Sequence, residues 1–474
     1  MPQRAIMVGS EEFCRRLERQ LDLADQGPLS LLVLGWIVPA GERVASTERV
    51  LGTLDELDAI VADVRPDLAL VTFPACMDRL ITATRTRLRR LRIPDRFMPT
   101  LEDQVAGIGP RSRLEIDPGD LLDRSPRPID ERSVRGVIQG RRVLITGAGG
   151  SIGSELARIV SRFDAAELIL VERSENALFE IDRQIARRAP ALHRTALLHD
   201  VVDAAVTLKH FRRLRPQVVF HAAAHKHVPL MEDHPAAAVD NNFFGTKAVA
   251  DAADVTGAER FVLISTDKAV NPRSIMGATK RLAELYVQHL NQRSGTGLSV
   301  VRFGNVLGST GSVLDVWSRE LSEGGPLTVT DRRMTRYFMT IPEAAALVIQ
   351  SAALIDPRTR TSGVFVLDMG VPIRIVDLAR RYIVLNGYDT RTVRIVFTGG
   401  RPGEKIHEQL AYDSETIRPT GHPDIHVWEQ AAPDAAFIER AVTQLSSRRR
   451  CSEPALVAET VRRLVAPARA VSAA

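Results

Sequence analysis

Cysteine is scarce in this sequence, which has three cysteines among 474 residues. Cys14, Cys76 and Cys451 stand far apart, with no CxxC pair and no metal-ligand spacing. A disulfide framework and a zinc module are therefore excluded, because both need grouped cysteines. Isolated cysteines are typical of a reducing compartment, so we expect a cytoplasmic protein.

Long apolar runs are also absent. The longest, residues 29–40, covers about half of the roughly 20 residues that a membrane-spanning helix needs, and it contains Gly35 and Pro39. The N-terminus lacks the charged, apolar and small-residue order of a secretory signal. We therefore predict no transmembrane helix and no export.

Charge of one sign is not in large excess, since 63 Lys and Arg residues against 58 Asp and Glu residues give a net charge of +5. Nucleic-acid binders concentrate positive charge, so we predict no nucleic-acid partner. The arginine runs at 85–96 and 448–450 are typical of solvated helix faces. They leave open a weak, peripheral attraction to an anionic membrane surface at the inner face of the cell membrane.

Apolar strands alternate with helical stretches in two series, which predicts an α/β fold. The first series predicts an N-terminal Rossmann-like domain over residues 1–106. Glu11 and Glu12 follow its first glycine, Gly9, where their charge would repel a pyrophosphate, so we expect a non-catalytic domain. Residues 107–140, rich in proline and charge, predict a linker.

The second series predicts a larger domain over residues 141–435, built on a doubly wound parallel sheet, and the motifs that give it a catalytic role are described below. Beyond Gly304 the pattern loosens, so residues 305–435 are assigned mainly to a smaller C-terminal substrate-binding lobe. Residues 436–474 are expected to form C-terminal helices and a tail. The predicted strands of the sheet are 143–145, 168–171, 195–198, 217–221, 261–265 and 299–303.

A glycine-rich loop at 146–153 follows the first of these strands and opens a helix. Its spacing lets backbone N–H groups and a helix N-terminus approach a pyrophosphate. Glu172, 19 positions after Gly153, is placed to bind the adenosine ribose of NAD, whereas Arg173 would suit the 2′-phosphate of NADP. We favour NAD and leave NADP open. The predicted dinucleotide contacts are Gly147, Gly150, Ser151, Ile152, Gly153, Glu172, Arg173, Ser174, Asp200, Val201, Ala222, Ala223, Ala224 and Lys280.

Two of the residues near this loop allow more than one interpretation. Asp200 ends a predicted strand and either contacts the adenine or caps the next helix. His221, His225 and His227 fall within seven residues, but no acid or cysteine is spaced to complete a ligand set with them. We therefore predict no metal site.

Thr266, Asp267 and Lys268 end the fifth predicted strand of the sheet, and Met276 and Lys280 follow on a helix. The arrangement is similar to the Ser/Thr plus Tyr-x-x-x-Lys set of short-chain dehydrogenases/reductases, with Met276 in the place of tyrosine. A thioether cannot relay a proton. Either the set is inactive, or the hydroxyl, acid and amine of the first three residues carry the chemistry.

The run from 143 to 409 resembles bacterial polysaccharide-biosynthesis nucleotide-sugar 4,6-dehydratases, which are extended short-chain dehydrogenases/reductases. The resemblance is to the long type that acts on UDP-N-acetylglucosamine. Long members usually carry transmembrane helices ahead of their first domain, and His225 and Gly400 stand where a tyrosine and a leucine are expected. The matching motifs are 146–153, 222–229, 265–270, 276–284, 302–309, 334–340 and 401–405.

The resemblance implies a UDP-4-keto-6-deoxy sugar product, formed by C4 oxidation, loss of water across C5 and C6, and hydride return to C6, for surface polysaccharide synthesis. It implies Lys268 as base, Asp267 as acid, Thr266 at the C4 oxygen and Lys280 at the nicotinamide ribose. A homo-oligomer through helices flanking 276–290 is expected by analogy. The implied substrate-binding residues are Lys226, His227, Asn305 and Ser309, with Arg336 and Arg401 at the diphosphate and Glu404 at the uridine ribose.

Two alternatives remain. One is a UDP-sugar 4-epimerase or reductase on the same fold, and Met276 speaks against it because such enzymes rely on the tyrosine. The other is a catalytically silent nucleotide-binding scaffold of a glycan assembly complex, and the presence of Asp267, Lys268 and Lys280 speaks against that.

Overall fold

The structure, a computed structural model, divides the chain into two compact units. The first comprises residues 1–121, 317–328 and 376–396, and the second comprises 122–316, 329–375 and 397–474. The described residues are 3–23, 31–42, 44, 48–74, 77–91, 93–98, 100, 102–103, 118–122, 129–355, 363–386, 388, 390–391, 393–412, 417–429, 431–449, 451 and 453–466.

The first unit contains a five-stranded parallel sheet. Successive residues of its central strand face opposite sides, so Ile6 and Val8 enter one apolar core while Ala5 and Met7 enter the other. In spatial order its strands are Val50–Thr53, Leu31–Val38, Gln3–Gly9, Leu68–Thr72 and Asp95–Phe97. Its helices are Glu11–Leu23, Leu57–Val64 and Asp78–Arg90, with a 3-10 turn at Leu54–Glu56.

The second unit contains a nine-stranded sheet, of which seven strands are parallel. Leu144 packs on one face of this sheet and Val143 and Ile145 on the other, so apolar cores cover both faces. In spatial order the strands are Ile417–Pro419, Ile425–Glu429, Gly363–Leu367, Gly297–Phe303, Arg260–Thr266, Val218–His221, Arg142–Thr146, Glu167–Glu172 and Arg194–Leu198.

The six strands of the predicted series take the doubly wound order 3-2-1-4-5-6, which confirms the predicted fold class. The helices of this part are Glu131–Ile138, Ser151–Val160, Glu175–Arg188, Ala204–Leu214, Val228–Asp233, Pro235–Ala238, Thr246–Val255, Ile275–Asn291, Ala435–Arg448 and Pro454–Val465, with a π-helix at Val239–Gly245 and a 3-10 turn at Asp267–Ala269. The remaining elements are strands Asn305–Leu307, Leu327–Val329, Thr335–Arg336, Phe338–Thr340, Ile373–Arg374 and Ile395–Phe397, and helices Pro118–Leu122, Val313–Ser322, Ile341–Ala353 and Ile375–Leu385.

The units differ from the predicted domains in two places. Residues 317–328 and 376–396 belong to the first unit, although the sequence assigned them to the substrate lobe. The helix Glu131–Ile138 lies within the predicted linker, where Val134, Val137 and Ile138 are buried at helical spacing. Residues 104–117, 123–128 and 467–474, which include half of the predicted linker and the end of the predicted tail, lie outside the described residues.

Several arginines of the 85–96 run are used inside the first unit rather than forming a free solvated face. Arg85 forms an ion pair with Asp95, and Arg87 donates to Asp58 Oδ1 at 2.6 Å. Arg96 lies over the ring of Tyr388, 6.0 Å from its centroid. Arg92, Arg450 and Cys76 and the side chain of Arg89 lie outside the described part of the chain.

The long helix Ile275–Asn291 is covered by its own chain, since 15 of its 17 residues are buried. Helices Ala435–Arg448 and Pro454–Val465 pack against it. Arg462 Nη2 lies 2.9 Å from Glu232 Oε2, and Glu232 Oε1 accepts from the N–H of Ile275 at 2.6 Å. The helix is therefore buried within its own unit, and the homo-oligomer through flanking helices stays a prediction.

A buried ion pair joins the long helix to the sheet. Arg302 donates to Glu284 through Nε at 2.7 Å and through Nη2 at 2.5 Å, and Ser265 Oγ donates to Glu284 Oε1 at 2.6 Å. Burial alone would raise the pKa of Glu284, but Arg302 and Arg281 outweigh it and hold the pKa below its usual range. This cluster fixes the helix against the strand ends that precede the site.

Replacing Arg302 by methionine should lower the free energy of unfolding by about 3–5 kcal/mol, because it removes the main partner of a buried carboxylate. Denaturant unfolding followed by circular dichroism measures this loss. Arg183→Met, which breaks an exposed pair with Glu180, is the control and should change stability little. Equal effects of the two substitutions would contradict the prediction.

No helix among the described residues is both long and apolar enough to span a membrane. The cysteines that the structure describes, Cys14 and Cys451, are free.

Candidate functional site

A cavity of about 870 Å³ lies at the carboxyl edge of the nine-stranded sheet, within the second unit. Its wall brings together most of the residues predicted for the site. These are Gly147, Gly150, Ser151, Ile152, Gly153, Glu172, Arg173, Asp200, Val201, Ala222, Ala223, Ala224, Lys226, His227, Thr266, Lys268, Met276, Lys280, Asn305 and Ser309. Ser174, Asp267, Arg336, Arg401 and Glu404 do not line it.

The glycine loop (residues 146–153) forms a cradle that larger residues would fill. Gly147 has φ +64°, and a Cβ there would lie 2.8 Å from Ala223 N. A Cβ on Gly153 would lie 2.0 Å from Gly147 O. The helix Ser151–Val160 has Gly150 as its N-cap, with no side-chain cap, so its first-turn N–H groups are available to a ligand.

Glu172 closes one end of the cavity. Its Oε2 accepts from Gly149 N at 3.1 Å, and its Oε1 accepts from Arg173 N at 2.9 Å and from Ser174 N at 3.1 Å. Ser174 caps the helix Glu175–Arg188 by accepting from Ala177 N, so the structure gives it a structural contact rather than a place in the cavity wall. The Glu172 carboxylate lines the cavity and has more lone pairs than these three contacts use.

The structure bears on both open interpretations near this loop, the role of Asp200 and the cluster of histidines. Asp203, not Asp200, caps the helix Ala204–Leu214, so the capping alternative for Asp200 was wrong. His221 is fully buried between Thr146 and Thr246, and burial, aided by the charge of Lys280, lowers its pKa to about 3. No group of potential metal ligands occurs among the described residues.

His225 contacts a predicted cofactor residue. Arg173 Nη2 lies 2.6 Å from His225 Nε2, and burial, together with this guanidinium, lowers the pKa of His225. Asn242, fully buried, holds the backbone of His225 through both its amide atoms. A neutral His225 can therefore accept from Arg173 at the cavity rim.

A second loop, which contains Ser309 and Thr310, contacts the glycine loop. The N–H of Thr310 donates to Ser151 Oγ at 3.1 Å. Lys226 Nζ donates to Thr310 O at 2.6 Å and lies 3.4 Å from Ser309 Oγ. Burial lowers the pKa of Lys226. The loop therefore ties the cofactor side of the cavity to two predicted substrate residues.

Thr266, Asp267 and Lys268 form a hydrogen-bonded turn, here called the Thr-Asp-Lys turn. Asp267 Oδ1 accepts from Thr266 Oγ1 at 2.9 Å and from Lys268 Nζ at 3.0 Å. Lys268 Nζ also donates to Asn305 Oδ1 at 3.0 Å. Asp267 is fully buried, and its Oδ2 has no partner among the described residues. A Cβ on Gly304 would lie 3.1 Å from this oxygen, so it lies directly behind the cavity wall.

Met276 and Lys280 line the same cavity from one face of the long helix, one turn apart. Lys280 Nζ donates to Ile264 O at 2.6 Å. Burial lowers the pKa of Lys280 to about 8, and the nearby Glu284 opposes the shift. The lysine is thus fixed to the strand that ends in the Thr-Asp-Lys turn.

Arg336 has a different place from the one expected of a diphosphate ligand. Its guanidinium donates to the carbonyls of Thr335, Lys405 and Ile406 at 2.7 to 3.1 Å, and the residue is buried. Arg401 is exposed, and Glu404 Oε2 is buried without a partner among the described residues. The diphosphate and ribose roles of these three residues stay predictions.

Three charged residues next to the site were not predicted from the sequence. Glu284 lies one helical turn after Lys280, and Lys405 and Glu408 come from the segment 401–409. Glu284 was detectable in principle, because a carboxylate four residues from a predicted site lysine shares its helix face. The contact of Glu408 with Lys268 joins distant parts of the chain, so no local sequence pattern predicts it.

The fold and this cavity define an α/β protein of the extended short-chain dehydrogenase/reductase class. A family model described as polysaccharide biosynthesis protein matches residues 143–430. The chain belongs to this family, as its sequence motifs predicted.

Curated relatives and a solved structure agree with this assignment. The chain is 42% identical over 398 residues to the probable polysaccharide biosynthesis protein EpsC of Bacillus subtilis; the match spans 83% of this chain and 65% of that relative. It is 31% identical over 274 residues to a UDP-N-acetylglucosamine 4,6-dehydratase (inverting) of Campylobacter jejuni, covering 56% and 76%. The X-ray structure of Pen from Bacillus thuringiensis matches with a TM-score of 0.56 and 28% identity, covering 63% and 92%.

Proposed function

We propose that the protein is an NAD-dependent dehydratase that converts UDP-N-acetylglucosamine to a UDP-4-keto-6-deoxy sugar for bacterial surface polysaccharide. One observation carries the proposal: Thr266 and Lys268, both bonded to the buried Asp267, line the same cavity as Met276, Lys280 and the glycine loop. The Campylobacter jejuni relative named for this reaction supports the substrate.

The cavity fits a dinucleotide. The cradle at Gly147 and Gly153 has no room for a side chain, and the uncapped first turn of Ser151–Val160 suits a pyrophosphate. Glu172 would bind the adenosine ribose and Lys280 the nicotinamide ribose. Bound NAD would supply reversible hydride acceptance, so the reaction needs no external oxidant.

The Thr-Asp-Lys turn offers a path for the C4 hydroxyl proton in the absence of a tyrosine. Thr266 Oγ1 would take this proton while passing its own to Asp267 Oδ1, 2.9 Å away. Asp267 then holds the proton that the departing C6 hydroxyl requires. One transfer therefore meets the needs of both the oxidation and the elimination.

Lys268 would act as the base at C5. In its neutral form it takes the C5 proton while Asp267 gives a proton to the C6 hydroxyl, which leaves as water. Lys268 afterwards returns its proton to C5, so Asp267 and Lys268 end in the protonation states in which they began.

Substrate capture is proposed for the polar residues at the mouth of the cavity. Lys226, His227, Asn305 and Ser309 line its wall, and Arg401 is exposed. Among the described residues no side chain or carbonyl engages the guanidinium of Arg401, so it is open to a diphosphate, whereas that of Arg336 is engaged by backbone carbonyls.

The test is incubation of the purified protein with UDP-N-acetylglucosamine, with and without added NAD, followed by mass spectrometry. Loss of one water from the sugar nucleotide without net accumulation of reduced cofactor is expected. Formation of an isomer of unchanged mass would favour the epimerase, and an unchanged substrate would contradict dehydration of this sugar.

The affinity for NAD should depend on pH through Lys280. Because the pKa of Lys280 is about 8, its ammonium is present below about pH 8 and is lost as the pH rises further. If the ammonium binds the ribose, the dissociation constant for NAD should rise above that pH, as measured by calorimetry. Lys280→Met should bind NAD weakly at every pH, and a flat profile in the native protein would contradict this role.

A further inference from the structure

Glu408 is a buried carboxylate that contacts the proposed base. Its side chain is 3% exposed, and its Oε1 lies 3.9 Å from Lys268 Nζ. It belongs to the segment 401–409, whereas Lys268 follows a strand at the centre of the sheet. The lysine therefore faces two carboxylates, Asp267 from its own turn and Glu408 from a separate segment.

The segment 401–409 is held firmly against the Thr-Asp-Lys turn. Lys405 Nζ donates to Val270 O at 2.6 Å and lies 3.4 Å from Glu408 Oε2. Arg336 donates to the carbonyls of residues 405 and 406. Asn271 Nδ2 donates to Gln409 Oε1 at 3.0 Å. These contacts place Glu408 at a fixed position beside Lys268.

We propose that Glu408 is a positioning residue for Lys268, which holds the lysine toward the cavity and whose charge governs how readily the ammonium loses its proton. The inference rests on the proposed function, because it assigns Lys268 the role of base. Asp267 Oδ1 and Asn305 Oδ1 hold the ammonium at 3.0 Å, and Glu408 limits its remaining freedom on a third side.

The other charges around Lys268 determine how strongly the loss of the Glu408 charge affects this lysine. Two carboxylates, Asp267 and Glu408, face its amine, Lys405 lies beside Glu408, and Lys280 lines the same cavity. Removing a negative charge about 4 Å from an amine that is partly open to solvent makes deprotonation easier by about one pH unit. Glu408→Gln keeps the shape of the side chain and removes only that charge.

The experiment compares the native protein with Glu408→Gln, Glu408→Asp and the control Glu180→Gln, an exposed carboxylate on helix Glu175–Arg188. The turnover rate at saturating UDP-N-acetylglucosamine and NAD is measured from about pH 6 to 9. In Glu408→Gln the pH at which the turnover rate rises should be lower by about one pH unit than in the native protein. Glu408→Asp should restore much of the native pH profile. Glu180→Gln should match the native protein.

A second measurement does not need turnover. Competitive labelling with acetic anhydride, read by peptide mass spectrometry, reports the pH at which Lys268 becomes nucleophilic. This midpoint should fall by the same amount in Glu408→Gln. A uniformly slower enzyme with unmoved rate and labelling profiles would overturn the proposal, since Glu408 would then be only structural. If the labelling midpoint falls in Glu408→Gln but the native protein forms no keto sugar, the proposed function is overturned and the coupling of Glu408 to Lys268 is upheld.

Discussion

Lys268→Met should reduce the rate of water loss from UDP-N-acetylglucosamine by about 10³-fold or more, because it removes the base proposed for C5. Methionine matches the length of lysine and leaves Asp267 and Asn305 without their shared cation. Asp267→Asn should cause a loss of similar size. Since both groups act in one elimination, the double variant should fall little below the worse single variant. Product formation followed by mass spectrometry measures each rate.

The control for this series is Lys209→Met, an exposed lysine on the helix Ala204–Leu214, which should leave the rate unchanged. NAD and UDP-sugar binding by Lys268→Met, measured by calorimetry, separates lost chemistry from lost binding. Near-normal turnover by both Lys268→Met and Asp267→Asn would show that the acid and base have been assigned to the wrong residues.

The parts of the site that were predictable from sequence are those encoded by local pattern. The glycine loop is predictable from its own glycine spacing, with a strand before it and a helix after it. Glu172 is predictable because it ends the next strand of the same unit. The Thr-Asp-Lys turn ends a strand, and the carboxyl ends of parallel strands share one edge. Its place in the cavity wall thus follows from strand order alone.

The contacts that were not predictable depend on how distant segments meet. Arg336 stands in a motif that resembles a diphosphate site, yet its donors are engaged by the carbonyls of residues 405 and 406. Asp200 and Asp203 are equally good caps by residue type, and only the start of the helix at Ala204 separates them. The same holds for residues 317–328 and 376–396, whose place in the first unit follows from packing rather than from local periodicity.

Met276 shows how the missing tyrosine shapes the chemistry of the site. Its thioether occupies the cavity wall one turn before Lys280, so the long helix presents an amine but no hydroxyl there. The hydroxyl closest in the chain to the proposed acid is that of Thr266, which already donates to Asp267. We therefore propose that the C4 proton is transferred at the strand end rather than at the helix.

Thr266→Val should reduce the turnover rate by about 10²- to 10⁴-fold, whereas Thr266→Ser should keep most of it, because only the hydroxyl is needed for the relay. Valine has nearly the same shape as threonine, so packing at the end of the strand Arg260–Thr266 is preserved. Substrate affinity should change far less than the turnover rate, since the hydroxyl acts during proton transfer.

The valine variant also removes the side-chain oxygen that accepts from Lys268 N at 3.4 Å, a contact long enough to be weak. Unfolding curves of both variants show whether that loss disturbs the turn. Turnover by Thr266→Val at the rate of Thr266→Ser, with both proteins folded, would exclude the hydroxyl relay. The C4 proton would then have to reach Asp267 through a water molecule, and Asp267 Oδ2, which lies behind Gly304 without a partner among the described residues, is the atom that could receive it.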